Sequence, residues 1–197
     1  MPRTGRPRGF SESAVIEAAT EIFWQYGYDG TSVQRLGEHA GVLPGSLHAA
    51  FGDKHALFVR ALEHYAQKQR DAGQWLQQPG PVLPRLREMM YGIAAAAETE
   101  HPRGCMLGNT ATELATDAAA TKMVREAFVE LEAAVAHALA RAQTEGEVTD
   151  EIDPDSYARV LLATMQGLHV LARVETDRQR LRDAVDAALA RVVADPS

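Results

Sequence analysis

Apolar residues recur every three or four positions in one segment after another. They nowhere alternate long enough to make a strand, so the pattern predicts an all-α protein. Val15, Ala18, Ala19, Ile22, Phe23 and Tyr26 form the first stripe. Phe10, Ser11 and Val15 have the spacing of a hydrophobic staple around an N-cap, and Gly27 ends the helix. Residues 31–58 predict two short helices and the start of a third. Thr31 is placed as the cap of the first, with Gln34 at capping-box spacing, and Val33, Leu36 and Ala40 share its face. Gly41 supplies the left-handed residue that closes it. Pro44 suits the first turn of the next helix, which turns Leu47 and Phe51 inward and Gly45, Ser46, His48 and Ala49 outward. Asp53 caps a long helix with Leu57, Phe58, Ala61, Leu62 and Tyr65 on its apolar face. It runs to about Gln77, where Gln77-Gln78-Pro79-Gly80-Pro81 forms a break.

Beyond the break the spacing predicts helices over about 82–99, 104–115, 118–145, 154–175 and 178–193. Gly146 ends the third of these, and Asp153-Pro154 places a cap and a first-turn proline at the start of the fourth. The last two carry Val160/Leu161, Thr164/Met165, Leu168 and Leu171/Ala172, then Leu181, Val185, Ala188/Leu189 and Val192. The expected organisation is a flexible arm over 1–9, a three-helix unit over 10–52 and a larger helical unit over 53–197, joined by the helix from Asp53.

Composition adds boundaries. A chain of 197 residues with 46% hydrophobic and 24% charged residues can bury an ordinary globular core. No apolar run is long enough to cross a membrane and no signal-type segment follows the N-terminus, so a cytoplasmic protein is expected. A single cysteine excludes an internal disulfide and suits a reducing compartment. The net charge of −7 is unevenly spread: residues 1–60 hold six Lys/Arg and six Asp/Glu, the remainder 14 and 21. The only charges in the first ten residues are Arg3, Arg6 and Arg8. A polyanion is therefore tolerated at the N-terminal end and repelled by the rest.

No Gly-rich phosphate loop, nucleophile elbow or zinc-protease motif occurs, and no enzyme is predicted. His48, His55 and His64 have no cysteine or carboxylate at ligand spacing, so neither a metal nor a cofactor is expected. The acidic group Glu145, Glu147, Asp150, Glu151, Asp153 and Asp155 reads as a solvated loop with helix N-termini rather than a calcium site.

A short helix that starts with small or polar outward residues is what a DNA major groove accepts. The run Thr31-Ser32-Val33, Gly41-Val42, Gly45-Ser46-Leu47, Phe51 and Lys54 with Leu57 closely resembles the helix-turn-helix signature of TetR/AcrR-type transcriptional regulators. His48 departs from it, since the family usually has Tyr there. The resemblance implies contacts to a double-stranded DNA operator from Arg3, Arg6, Arg8, Thr31, Ser32, Val33, Leu43, Pro44, Gly45, Ser46, His48 and Lys54. Thr31, Ser32 and Lys54 would touch phosphate, and Gly45, Ser46 and His48 would lie nearer the base edges. Leu43 and Pro44 either meet thymine methyls or simply begin the helix. The arm arginines either track phosphates and the minor groove or form a solubilising tail.

The same resemblance implies a homodimer on a palindromic operator, a small-molecule inducer and repression as the default output. It places the last two helices in a four-helix bundle, with Leu161, Met165, Leu168, Leu181, Val185 and Leu189 as dimerisation candidates. Pocket candidates are Met89, Met90, Cys105, Met106, Asn109, Met123, Phe128, Tyr157, Met165 and His169, with Trp75 and Tyr91; such residues also suit plain core. Cys105 is either a small buried hydrophobe or, at a helix start near Arg103, a thiolate sensor of oxidants or electrophiles. A thiol-sensing repressor is therefore the alternative function.

Overall fold

The computed structural model describes residues 10–95 and 102–193. Among them are nine α-helices and no strand: α1 Glu12–Tyr26, α2 Val33–Ala40, α3 Pro44–Phe51, α4 Lys54–Leu76, α5 Leu83–Ala95, α6 Met106–Glu113, α7 Ala118–Thr144, α8 Pro154–Leu171 and α9 Arg178–Ala190. The all-α expectation holds, and each predicted stripe became a helix. No described helix is long and apolar enough to cross a membrane. The chain divides into two compact units between Tyr65 and Ala66, inside α4.

In the N-terminal unit the helix ends follow local hydrogen bonding. The Ser11 hydroxyl accepts from Ala14 N–H at the start of α1, and the Asp53 carboxylate accepts from Ala56 N–H at 2.8 Å at the start of α4. Gly41 adopts φ +66° and closes α2, while Val42 N–H reaches back to Gly37 O at 2.9 Å. A Cβ on Gly37 would lie 2.6 Å from Val42 O, so the tight α2–α3 turn requires glycine there. One cap differs from expectation. Ser32, not Thr31, caps α2, accepting from Arg35 N–H, and Gln34 bonds Glu38 rather than closing a capping box. Thr31 is buried and donates its hydroxyl to Gly27 O at 2.6 Å, which removes it from capping.

The core of this unit joins Val15, Ala19 and Phe23 of α1, Leu36 of α2, Leu47 and Phe51 of α3, and Leu57, Phe58, Ala61 and Leu62 of α4. Phe23 and Phe58 meet edge to face at 5.0 Å. Because the first turns of α4 supply so much of this core, the unit extends to Tyr65 instead of stopping before Asp53.

In the C-terminal unit α5, α7, α8 and α9 enclose a second core that includes Leu86, Met90, Val135, Leu139, Leu161, Met165, Leu168, Leu181, Val185 and Leu189, and α6 packs on α7. α8 ends at Leu171 and α9 at Ala190, each a few residues short of the sequence expectation. The turn after α4 is held by two guanidinium groups. Arg141 donates to the carbonyls of Leu76, Gln78 and Gly80, and Arg85 donates to those of Gln78 and Pro79. Beside them Glu147 accepts from Val82 N–H and Leu83 N–H, both at 2.7 Å, and so caps α5 from a distant loop. Glu147→Ala leaves both donors without their partner and is expected to lower stability by about 1–2 kcal/mol, read as a lower thermal midpoint. Of the other acidic-group residues, Asp153 caps α8 and Glu145 pairs with Arg141 at 3.1 Å. Helix starts and ion pairs thus use part of that charge, and no group of three metal-ligating side chains occurs among the described residues.

Candidate nucleic-acid interface

α2 and α3 form a helix-turn-helix, and the surface they present is unusual in what it leaves uncovered. Leu43 is 77% exposed at the N-cap of α3 and makes no side-chain cap bond. Pro44, Gly45, His48 and Ala49 follow it on the outside, with Ser46 half-buried. A Cβ built on Gly45 would meet nothing within 4 Å. Ser32 and Val33 are exposed at the start of α2. Of the predicted contacts, Ser32 and Val33 thus lie at the start of α2, Leu43, Pro44, Gly45 and Ser46 at the start of α3, and His48 in its last turn. Arg3, Arg6 and Arg8 lie outside the described residues.

Two predicted phosphate contacts are placed differently. Thr31 is only 2% exposed, with its hydroxyl on Gly27 O. Lys54, the first residue of α4, donates its ammonium to Tyr28 O at 3.0 Å and Thr31 O at 3.1 Å, and lies 4.0 Å from the centroid of the Tyr28 ring. Tyr28 itself packs edge to face on Phe58. The ammonium therefore fastens the start of α4 to the α1–α2 turn. The turn is held a second time by Arg35, which donates to Gly30 O at 2.9 Å and lies over the Tyr26 ring at 4.2 Å. Sequence spacing could not separate these roles, because a lysine placed to reach a phosphate is also placed to reach a carbonyl.

Residues 15–61 match the model of the bacterial regulatory proteins of the tetR family, and residues 82–188 match the tetracyclin repressor-like C-terminal domain. The chain belongs to the TetR family. Among curated relatives, it is 33% identical to the uncharacterized HTH-type transcriptional regulator YezE of Bacillus subtilis (strain 168), covering 94% of this chain and 97% of that one. It is 28% identical to the HTH-type transcriptional repressor ComR of Escherichia coli (strain K12), covering 94% and 90%. Among solved structures, a cysteine variant of the TetR family regulator CifR, complexed with 26-base-pair double-strand operator DNA, superposes with TM-score 0.79 at 28% identity, covering 95% of this chain and 100% of that one.

The residues nominated for a TetR-family ligand pocket are dispersed. Met90, Cys105, Met106 and Met165 are buried core, while Met89, Met123, Phe128 and Tyr157 are half-buried. Tyr157 donates its hydroxyl to Ala188 O, and Asn109 bridges Arg103 O and the Arg173 guanidinium. A groove of about 390 Å³ runs instead between α4 and α7, lined by Gln69, Arg70, Gly73, Gln74, Gln77, Ala127, Glu130, Leu131, Ala133, Ala134 and His137. None of the nominated residues lines it. Its floor is the close approach of Gly73 to Ala134, where an added Cβ would sit 3.1 Å from the alanine methyl. The sequence signal for this site was the glycine in α4, which periodicity alone reads only as a helix weakness. Cys105 caps α6 without a side-chain bond and is 3% exposed. A thiol closed off from solvent suits the core role, and the thiol-sensing alternative loses its support.

Burial holds the His169 imidazole neutral, with its pKa pushed down to about 4. Between about 6.5 and about 4 the unfolded chain takes up a proton there and the folded chain does not, so stability falls as pH drops through that window, by up to about 3 kcal/mol. Urea midpoints at pH 7 and pH 5 are expected to differ less in His169→Gln than in the parent.

The six residues nominated for dimerisation, Leu161, Met165, Leu168, Leu181, Val185 and Leu189, are all buried in the protomer's own core. Exposed apolar surface includes the opposite face of α8, where Val160 is 50% exposed and Val170 66%, with Leu171 and then Val174 beyond them; Val129 on α7 and Val193 are exposed elsewhere. Ala163 and Gly167 are exposed on the same strip, and a Cβ on Gly167 would meet nothing within 4 Å.

Proposed function

We propose that this protein is a transcriptional repressor that binds a palindromic operator as a homodimer and is released by a small molecule in its C-terminal unit. The observation that carries the reading is the α2–α3 surface: small and apolar side chains at the start of α3, on a helix-turn-helix whose family match covers residues 15–61. A single recognition helix makes too little contact for a specific site. A second copy about 34–36 Å away supplies the other half-site. The exposed α8 strip, Val160, Ala163, Gly167, Val170 and Leu171, is the surface we assign to the second copy, in place of the six buried residues. The operator-bound CifR variant and the repressor ComR support operator binding and repression.

The inducer is placed in the α4–α7 groove, whose volume of about 390 Å³ lies in the range of small-molecule sites. α4 runs from Lys54 to Leu76, so a molecule bound beside Gly73 acts on the helix whose first residue braces the α1–α2 turn. Release needs tighter binding to the DNA-incompetent state, with a coupling of about 1–3 kcal/mol typical.

We assign most of the positive charge that meets phosphate to the arm. Residues 10–65 contain three Lys/Arg (Arg35, Lys54, Arg60) against seven Asp/Glu, and two of the three cations are engaged within the unit. Gel shifts on the DNA upstream of the chain's own gene test this. Affinity is expected to fall steeply with salt, and replacing Arg3, Arg6 and Arg8 by Ala is expected to lower the slope of log K against log[salt] by up to about 2.7 per protomer. An unchanged slope would remove the arm from the interface, and an absence of specific binding would remove the repressor reading.

A further inference from the structure

Resting on the reading that α3 enters the operator, we propose that this protein reads sequence chiefly through thymine C5-methyl groups, gripped by Leu43 and the open backbone beside Gly45. Base pairs are usually distinguished in the major groove by two-bond pairs, Arg or Lys on guanine and Asn or Gln on adenine. The outward residues of α3 include none of these four types. On α2 the long polar side chains are already engaged: Gln34 donates to the Glu38 carboxylate at 2.9 Å, and Arg35 is held by Gly30 O and the Tyr26 ring. Ser46 and His48 can add single hydrogen bonds. The rest of the exposed α3 surface, Leu43, Pro44, Gly45 and Ala49, is apolar, and thymine alone offers an apolar group on the major-groove edge.

Two local costs at one helix start point the same way. Leu43 occupies an N-cap where Ser, Thr, Asp or Asn would satisfy an orphan N–H, and it makes no such bond. Its side chain is left 77% exposed, so its own protomer gains almost no burial from it. Two residues on, Gly45 weakens the helix although no neighbour would meet its Cβ. Inside the protomer neither choice has a reason. Against a base edge both do, because the leucine supplies a methyl-sized contact and the missing Cβ lets the backbone approach.

The test uses the intact protein and duplexes that it selects from a random pool. Deoxyuridine then replaces each half-site thymine in turn, removing only the methyl. At least one thymine per half-site is expected to lose about fourfold in affinity, or about 15-fold when both symmetric copies are replaced. Leu43→Ala, which opens no core, is expected to bring the thymine-to-uracil ratio close to one at that position. Selected sites that bind equally well with uracil throughout, or a full ratio retained by Leu43→Ala, would overturn the proposal while leaving operator binding intact. A pool that yields no duplex would overturn both.

Discussion

With the second copy on the α8 strip as proposed, Gly167→Arg is expected to give a folded, slightly more stable protomer that neither dimerises nor shifts operator DNA. The two halves of that result have opposite signs, which makes it discriminating. Within the protomer Gly167 is a liability: it lies in the middle of α8, is exposed, and has open space where a Cβ would be. A better helix former there is worth about 0.7–1 kcal/mol. Against a second copy the same position matters differently. Ala163 and Gly167 interrupt the apolar strip of Val160, Val170 and Leu171 with two small residues, which lets a partner helix approach closely. A guanidinium at that point both overfills the contact and buries a charge without a partner. Penalties of this kind are about 3–5 kcal/mol, or roughly two to four orders of magnitude in the dimer dissociation constant. Sedimentation should show a monomer and circular dichroism an intact helical signal. A variant that remains a dimer with parent-like operator affinity would place the interface elsewhere.

Lys54→Met should be nearly as consequential, for a reason unlike the one its sequence motif suggests. If the ammonium met a phosphate, its loss would lower the salt slope of binding by about 0.9 and leave the fold alone. Instead it is shared between Tyr28 O, Thr31 O and the Tyr28 ring, part-buried at the point where α4 begins. Its removal takes the ammonium from Thr31 O, leaves Tyr28 O with only the Thr31 N–H at 3.2 Å, and frees the α1–α2 turn, at a cost of about 1–2 kcal/mol in stability. Operator affinity should fall for every sequence alike, because the turn that leads into α2 loses its anchor on α4, while the salt slope stays unchanged. A lower slope with an unchanged thermal midpoint would return Lys54 to the phosphate backbone.

Much of this molecule is legible in its sequence because its helix boundaries are written in local chemistry. Ser11, Gly27, Gly41, Pro44, Asp53 and the Asp153-Pro154 pair each act on backbone groups within a few residues, so spacing alone located them. Where two neighbours offered the same chemistry, spacing failed. Thr31 and Ser32 both carry hydroxyls, and the choice of cap was made by burial: Thr31 faces the interior and bonds Gly27 O, leaving Ser32 for the cap. The two faces of α8 pose a related ambiguity. The helix is apolar on two faces, and its sequence does not say which one meets α5, α7 and α9.

The sequence by itself determined that this chain is helical, that its second and third helices make a helix-turn-helix, and that positive charge is concentrated in the arm. All of these follow from residues close together in the chain. Tertiary packing alone decided that Lys54 braces a turn, that the nominated dimer residues belong to the protomer's own core, and that a groove opens beside Gly73. Each depends on which distant carbonyl, ring or helix face arrives opposite a given side chain, and that is set by how the helices stack rather than by the order of residues along them.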